Sequence, residues 1–132
     1  MVDLLKTVSG KFSITSDCWS SITTDGYISL TVHFIDESWQ LQKRALNFSF
    51  MPSPHTGAAM SIMIMGLLKE WGIENRITSI TFDNASANDS MVRFLKSDLS
   101  LMSNGEFFHV CCCAHVLNLI VQEGLKDLDS II

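Results

Sequence analysis

No apolar run in the 132-residue sequence reaches the ~18 residues needed to cross a bilayer. The longest candidate, residues 58–68, has the length of a core helix. Residues 1–10 lack a basic start followed by an apolar stretch, so no secretory signal is read there and an intracellular location is expected. Positive charge is scarce: 9 Lys and Arg against 14 Asp and Glu give a formal net charge of −5. Neutralising phosphate takes clustered cations, so this chain alone is expected to bind nucleic acid weakly. The four cysteines do not make a disulfide framework, because Cys111, Cys112 and Cys113 are consecutive; reduced thiols are expected. Low-complexity segments are missing too. With 47% hydrophobic and 17% charged residues, disorder is excluded, leaving one domain or part of one.

What is present begins with an echo. Ser13-Ile14-Thr15-Ser16-Asp17 and Ser79-Ile80-Thr81-Phe82-Asp83 both write Ser-Ile-Thr-x-Asp, each at the end of a strand-like run. Alternation puts Ser13, Thr15 and Asp17 on one face of their strand, and Ser79, Thr81 and Asp83 on one face of theirs. If the two strands are parallel neighbours, about 4.8 Å apart, the two aspartates stand side by side at the carboxyl ends, where open α/β sheets place ligands. Adjacent carboxylates repel unless a cation or shared proton relieves them, and a divalent metal is the usual solution.

Taken in order, residues 1–8 read as the last turns of a helix closed by Gly10, the end of a preceding element. Residues 12–17 form the first strand. Residues 27–35 alternate with Ile28, Leu30, Val32 and Phe34 on one face. A turn at Asp36-Glu37-Ser38 leads to a partner strand over 39–50, making an antiparallel hairpin. Its apolar phase slips between Leu41 and the Leu46, Phe48, Phe50 run, which predicts a β-bulge near Lys43-Arg44-Ala45. After Pro52 and Pro54, Thr56 caps a helix whose apolar face is Met60, Met63, Ile64, Leu67, Leu68 and Trp71; Gly72 ends it. Ile62 and Met65 widen that face and predict cover on more than one side. A strand over 77–83 follows, reached through a helix and so expected to be parallel. Asn84 or Ser86 can cap the next helix, whose Val92, Leu95, Leu99 and Met102 face the sheet. A fifth strand over 107–112 and a helix over 113–128 complete the order βββαβαβα. That order is the ribonuclease H-like α/β arrangement: a mixed five-stranded sheet, three antiparallel strands then two parallel ones, with flanking helices.

Three constellations carry possible chemistry. Asp17 and Asp83 could hold the metal ions that phosphoryl transfer uses to activate one oxygen and stabilise another; alternatively each caps the loop or helix after its strand. His109, Cys112, Cys113 and His115 are zinc-type ligands crowded at one strand-to-helix junction, whereas structural zinc draws on separated pairs, so no zinc site is expected. Cys112, His115, Asn118 and Gln122 recur at helical spacing as a polar stripe expected to be buried and partnered. Cys112 with His115 as base lacks a readable orienting group or oxyanion pocket for nucleophilic catalysis. Trp19, Trp39 and Trp71 are read as core or rim packing, because no basic residues interleave them.

Several runs together resemble hAT-superfamily transposases, in particular the plant BED-zinc-finger, Ricesleeper-type proteins. They are Thr15-Ser16-Asp17-Cys18-Trp19-Ser20-Ser21, Gly26-Tyr27, Leu30-Thr31-Val32-His33-Phe34-Ile35-Asp36, Trp39-Gln40-Leu41-Gln42-Lys43-Arg44, Pro54-His55-Thr56-Gly57, Glu70-Trp71-Gly72-Ile73, Asp83-Asn84-Ala85-Ser86-Ala87-Asn88-Asp89 and Cys112-Cys113-Ala114-His115-Val116-Leu117-Asn118-Leu119. The likeness runs from about Gly10 to Gly124. It implies a ribonuclease H-like core that cuts and rejoins DNA with three carboxylates and Mg2+ or Mn2+, in the nucleus. Asp17 matches the first carboxylate and Asp83 the second. Cys112 and His115 match the Cys-x-x-His motif beside the active site, and Trp19 and Asn84 flank the carboxylates. The third carboxylate, a glutamate beyond a helical insertion, would lie after Ile132; Glu106, Glu123 and Asp127 match no such position. The BED finger and the dimerisation region would lie outside residues 11–132 as well, and Cys111 stands where the family has arginine.

Two expectations follow. Residues 11–132 are part of a transposase catalytic core, inactive alone for want of the third carboxylate and weak in metal binding. The alternative is a transposase-derived, non-enzymatic interaction or DNA-associated regulatory module. Either way, the helix over 113–128 should expose apolar surface open to a protein partner or to self-association.

Overall fold

The computed structural model describes residues 2–20, 25–52, 55–82, 86–99, 101 and 105–129. Its elements run α1 (Val2–Thr7), β1 (Phe12–Ser20), β2 (Gly26–Ile35), β3 (Leu41–Phe50), α2 (Gly57–Trp71), a 3-10 turn (Glu74–Arg76), β4 (Ile77–Phe82), α3 (Ser86–Asp98), β5 (His109–Cys111) and α4 (Cys113–Asp129). The five strands make one sheet in the order β3-β2-β1-β4-β5. β1 pairs antiparallel with β2, and β2 with β3, whereas β4 runs parallel to β1 and β5 parallel to β4. This is the mixed α/β sheet that the order of elements predicts.

One face of the sheet is closed. Phe12, Ile14, Ile28, Leu30, Val32, Phe34, Ile80 and Phe82 are buried there, in a common core with Leu5 and Val8 from the α1 segment, Met60, Ile64, Leu67 and Leu68 from α2, and Met91, Val92, Leu95 and Leu99 from the α3 region. The strict alternation in β2 follows from period-two side-chain placement on a half-covered sheet. α2 starts where Thr56 Oγ1 accepts the Ala59 N–H and stops at Gly72, whose φ of 69° is the left-handed conformation that glycine adopts without a Cβ clash. Arg76 fastens the α1 segment to the core. Its guanidinium donates to the carbonyls of Leu5, Val8 and Gly10 and lies 4.6 Å from the centre of the Phe12 ring.

The expected bulge lies one residue later than Lys43-Arg44-Ala45. Leu30 pairs with Asn47 and Thr31 with Ala45, so Leu46 is the extra residue, turned into the core. That insertion returns Leu41 and the Phe48, Phe50 pair to the same side of the sheet, which accounts for the odd step in their spacing.

Other expectations need correction. β1 extends to Ser20, because pairing with β2 continues to Ser20–Gly26. β3 starts at Leu41, since Trp39 sits in the turn with φ 60°. There Asp36 Oδ1 accepts from the Ser38 and Gln40 backbone N–H groups and Oδ2 from the Gln42 amide, which closes the loop around one carboxylate. β5 is only His109–Cys111; the Phe108 N–H bonds back to the Gly105 carbonyl and leaves Phe107 in a turn, exposed. α2 meets both the sheet core and α3, which buries Met65, but the cover stops short of Ile62, which is exposed. Met102 and the candidate cap Asn84 lie outside the described residues, as does the side chain of Ser86.

α4 differs from the other helices. Val116, Leu117, Leu119, Ile120, Val121, Leu125 and Leu128 are all exposed, as the apolar pattern of residues 113–128 predicts. The polar stripe is not buried: Cys112 and His115 are half-buried, but Asn118 and Gln122 face solvent, as do the apolar residues beside them.

Candidate active site

Among the described residues, the second face of the sheet carries no buried apolar layer. Along β1 it presents Ser13, Thr15, Asp17 and Trp19; along β2, Tyr27, Ser29, Thr31 and His33; along β4, Ser79 and Thr81. The echoed peptides meet here. Ser13 pairs with Ser79, Ile14 with Ile80 and Thr15 with Thr81 on adjacent parallel strands, and the Ser13 and Ser79 hydroxyls are 2.5 Å apart.

Besides the Ser13–Ser79 contact, a further hydroxyl of this face finds a partner in the next strand. Thr15 Oγ1 lies 3.1 Å from His33 Nε2. Burial, then repulsion from Lys43 in the neighbouring strand, lowers the His33 pKa below its ordinary 6.5. Neutral His33 is therefore the form that this face favours.

Asp17 stands where the hydroxyl ladder ends. It pairs with Ser29 across the antiparallel ladder, and its side chain is exposed. The next residue back, Ser16, turns to the closed face, where its hydroxyl donates to the Ser29 carbonyl and fixes the strand beneath the carboxylate. An exposed carboxylate is the kind of oxygen donor that Mg2+ and Mn2+ take. Asp83 and Asn84 lie outside the described residues, which reach Phe82 on β4. Among the described residues no three His, Cys, Asp or Glu side chains gather at one point, and of the two aspartates expected to hold a divalent ion Asp17 is the one whose position is described.

Trp19 flanks Asp17 in a group of rings. Its ring centre lies 6.2 Å from that of Tyr27 and 5.3 Å from that of Phe48; Tyr27 stacks on Phe48 at 5.5 Å and meets Phe50 edge-on at 6.0 Å. Phe48 and Phe50 are more than half exposed and Trp19 is 40% exposed, so this is an aromatic patch on the surface. Trp71 instead packs on the core, with its Nε1–H donating to Asn47 Oδ1 at 2.6 Å. Trp39 is 89% exposed, which corrects the expectation of core or rim packing there. The patch as a group was not read from the sequence. Its only trace there is the alternate spacing of Phe48 and Phe50, whose register with Tyr27 depends on the bulge.

Cys112 and His115 lie at the start of α4, both half-buried. Thr81 pairs with Val110 and Phe82 with Cys111, so Cys112 leaves the sheet at the same end as Asp17, two strands or about 10 Å away. His109 is half-buried, and its Nε2 has no hydrogen-bond partner among the described residues. None of the four cysteines is in a disulfide.

The family described as the ZBED1 RNase-like domain matches residues 15–107, which run from within β1 through β2, β3, α2, β4 and α3. The chain belongs to this family. Among curated relatives, "Putative AC transposase" of Zea mays is 39% identical over 126 residues, covering 92% of this chain and 16% of the maize protein. Zinc finger BED domain-containing protein RICESLEEPER 2 of Oryza sativa subsp. japonica is 33% identical over 137 residues, covering all of this chain and 19% of the rice protein. DAYSLEEPER of Arabidopsis thaliana, also named a zinc finger BED domain-containing protein, is 33% identical over 101 residues, or 76% of this chain. The likeness to hAT-type transposases and Ricesleeper proteins is thereby borne out, and the five-stranded sheet is that of the family's RNase-like domain. The chain spans less than a fifth of the length of the relatives it matches. No helix among the described residues is long and apolar enough to cross a membrane.

Proposed function

We propose that these residues are the part of a hAT-type transposase core that brings the first two catalytic carboxylates, Asp17 and Asp83, to one end of a ribonuclease H-like sheet for cutting and joining DNA. The observation that supports this most strongly is the in-register pairing of Ser13 with Ser79 and Thr15 with Thr81 on parallel strands, two residues before each aspartate. Asp17 and Asp83 hold Mg2+ or Mn2+ together, and the third carboxylate comes from sequence outside residues 1–132. When bound, the ion activates the attacking oxygen and stabilises the leaving one.

The chain's own groups keep the carboxylates in place. The Ser13–Ser79 and Thr15–His33 contacts tie three strands together on the open face, so the strand ends share one geometry. Trp19 and its ring neighbours wall one side of Asp17, while Cys112 and His115 lie on the β5 side, at the same end of the sheet. With net charge −5, this region does not hold DNA by itself; other parts of the longer protein grip it, in the nucleus. Alone, residues 1–132 bind the ion weakly and do not cut DNA.

Mn2+ titration followed by NMR tests this reading. Signals of Asp17 and Asp83 should broaden together at millimolar metal, and Asp17→Asn should abolish the effect at both. Broadening at one aspartate without the other overturns the shared site. The exposed apolar side of α4 favours a second reading, a transposase-derived interaction module without catalysis. Metal-independent partner binding with no response at either aspartate would select it.

A further inference from the structure

Asp17 and Cys18 are consecutive on β1, so their side chains leave opposite faces of the sheet. Cys18 enters a cluster supplied by three separate segments. Its Sγ lies 3.9 Å from Met51 Sδ, at the exit of β3, and 3.6 Å from His55 Nδ1, just before the Thr56 cap of α2. His55 Nε2 lies 3.1 Å from the Met51 carbonyl oxygen. A carbonyl only accepts, so the proton of the neutral ring sits on Nε2 and the bare lone pair of Nδ1 faces the thiol.

Two acceptors, a thioether and an imidazole nitrogen, therefore converge on one thiol that has one proton to give. We propose that this cluster is a three-coordinate site for a soft monovalent metal ion, Cu(I), with Cys18 thiolate, Met51 thioether and His55 Nδ1 as ligands. Binding replaces the thiol proton by the cation, the proton passing to solvent. No electron changes hands, because copper enters and stays as Cu(I). Thiolate and thioether are ligands of the kind that select Cu(I). One thiolate and one monovalent cation also leave no net charge in a partly buried setting, whereas Zn2+ would leave an excess positive charge and want a fourth ligand.

The surroundings are built as metal sites are. The second nitrogen of His55 is held by a backbone carbonyl, which fixes tautomer and ring orientation. Met51 is 2% exposed, and its backbone N–H bonds to the Gly26 carbonyl at 2.7 Å, which pins the thioether strand to β2. Gly26 makes room for the ring: a Cβ there would fall 1.9 Å from His55 Nε2 and 2.4 Å from the Met51 carbonyl oxygen. Glycine at this point is a requirement of the cluster, not of a turn. The soft donors thus lie on the closed side of the strand end whose open side carries the hard carboxylate.

The test uses a chain with Cys111, Cys112 and Cys113 changed to serine, so that the other thiols cannot compete. Cu(I) is supplied against a chromophoric chelator. One copper per chain is expected, with X-ray absorption reporting two sulfurs and one nitrogen. In that background Cys18→Ser should abolish stoichiometric binding. Met51→Leu keeps the volume, and with His55→Gln it should weaken binding by at least the roughly 10–100-fold that follows loss of an outer partner. Gly26→Ala keeps all three ligands and should weaken binding by displacing the ring. Copper should raise the thermal midpoint of the parent but not of Cys18→Ser, a readout that also establishes that each variant is folded. Absence of saturation at one copper per chain, or an affinity unchanged by Met51→Leu or His55→Gln, overturns the site.

Discussion

The two faces of this sheet are built from alternate residues of the same strands, yet they do different work. On β1, Phe12, Ile14 and Ser16 are buried, while Ser13, Thr15 and Asp17 look out over a face lined by hydroxyls, His33 and exposed rings. Closed-face side chains contribute stability through buried area and close packing. Open-face side chains are only partly buried or exposed, so they contribute less to packing. A strand that alternates so strictly can change its chemistry on one side without loosening its core on the other.

Substitutions in β2 and β3 test this division most directly. Leu30→Ala empties a site that is 1% exposed and should cost about 2–5 kcal/mol in denaturant unfolding. Phe48→Ala, two residues past the bulge on the open face, should cost less than about 1 kcal/mol, because the ring is 66% exposed and loses mainly its contacts with Trp19 and Tyr27. Equal losses would break the comparison. A smaller effect is expected at the hairpin turn, where Trp39 holds a left-handed φ and is 89% exposed. Trp39→Gly should raise stability by about 1 kcal/mol.

The smallest effect concerns His33. Its folded pKa lies below 6.5, so the unfolded chain binds more protons as pH falls, and the stability that neutral His33 contributes is lost below 6.5 toward the folded value. Lys43→Met removes the repulsion but not the burial. An NMR titration should therefore show the His33 pKa rise part of the way back.

How far the sequence could be read follows the same division. The closed face announces itself by period: Ile28, Leu30, Val32 and Phe34 in β2, and the face of α2 between Thr56 and Gly72, are where alternation and helical spacing put them. The echoed Ser-Ile-Thr runs predicted a pairing that holds residue by residue from Ser13 to Thr15. Expectations failed where burial depended on a neighbour that local pattern cannot supply. Ile62 and the Asn118, Gln122 stripe look like core by spacing, but no element among the described residues covers them. The bulge was legible as a phase error, and its place at Leu46 was set by which residue the core could accept. Cys18, Met51 and His55 meet only because β1, the end of β3 and the approach to α2 converge, so no motif of adjacent letters marks them. At the candidate active site, Asp17 stands exposed at the strand end, as alternation requires, and Asp83 lies outside the described residues.

The exposure of α4 has a kinetic consequence. A 17-residue helix whose apolar side chains the described residues leave exposed draws little on tertiary packing, and isolated helices near this length are marginal in water. Its amide hydrogens should thus exchange with deuterium far sooner than those of β1 or α2, through openings that leave the sheet intact. Whatever settles on Leu117, Val121 and Leu125 would slow that exchange first at this helix, making the rate a local gauge of engagement.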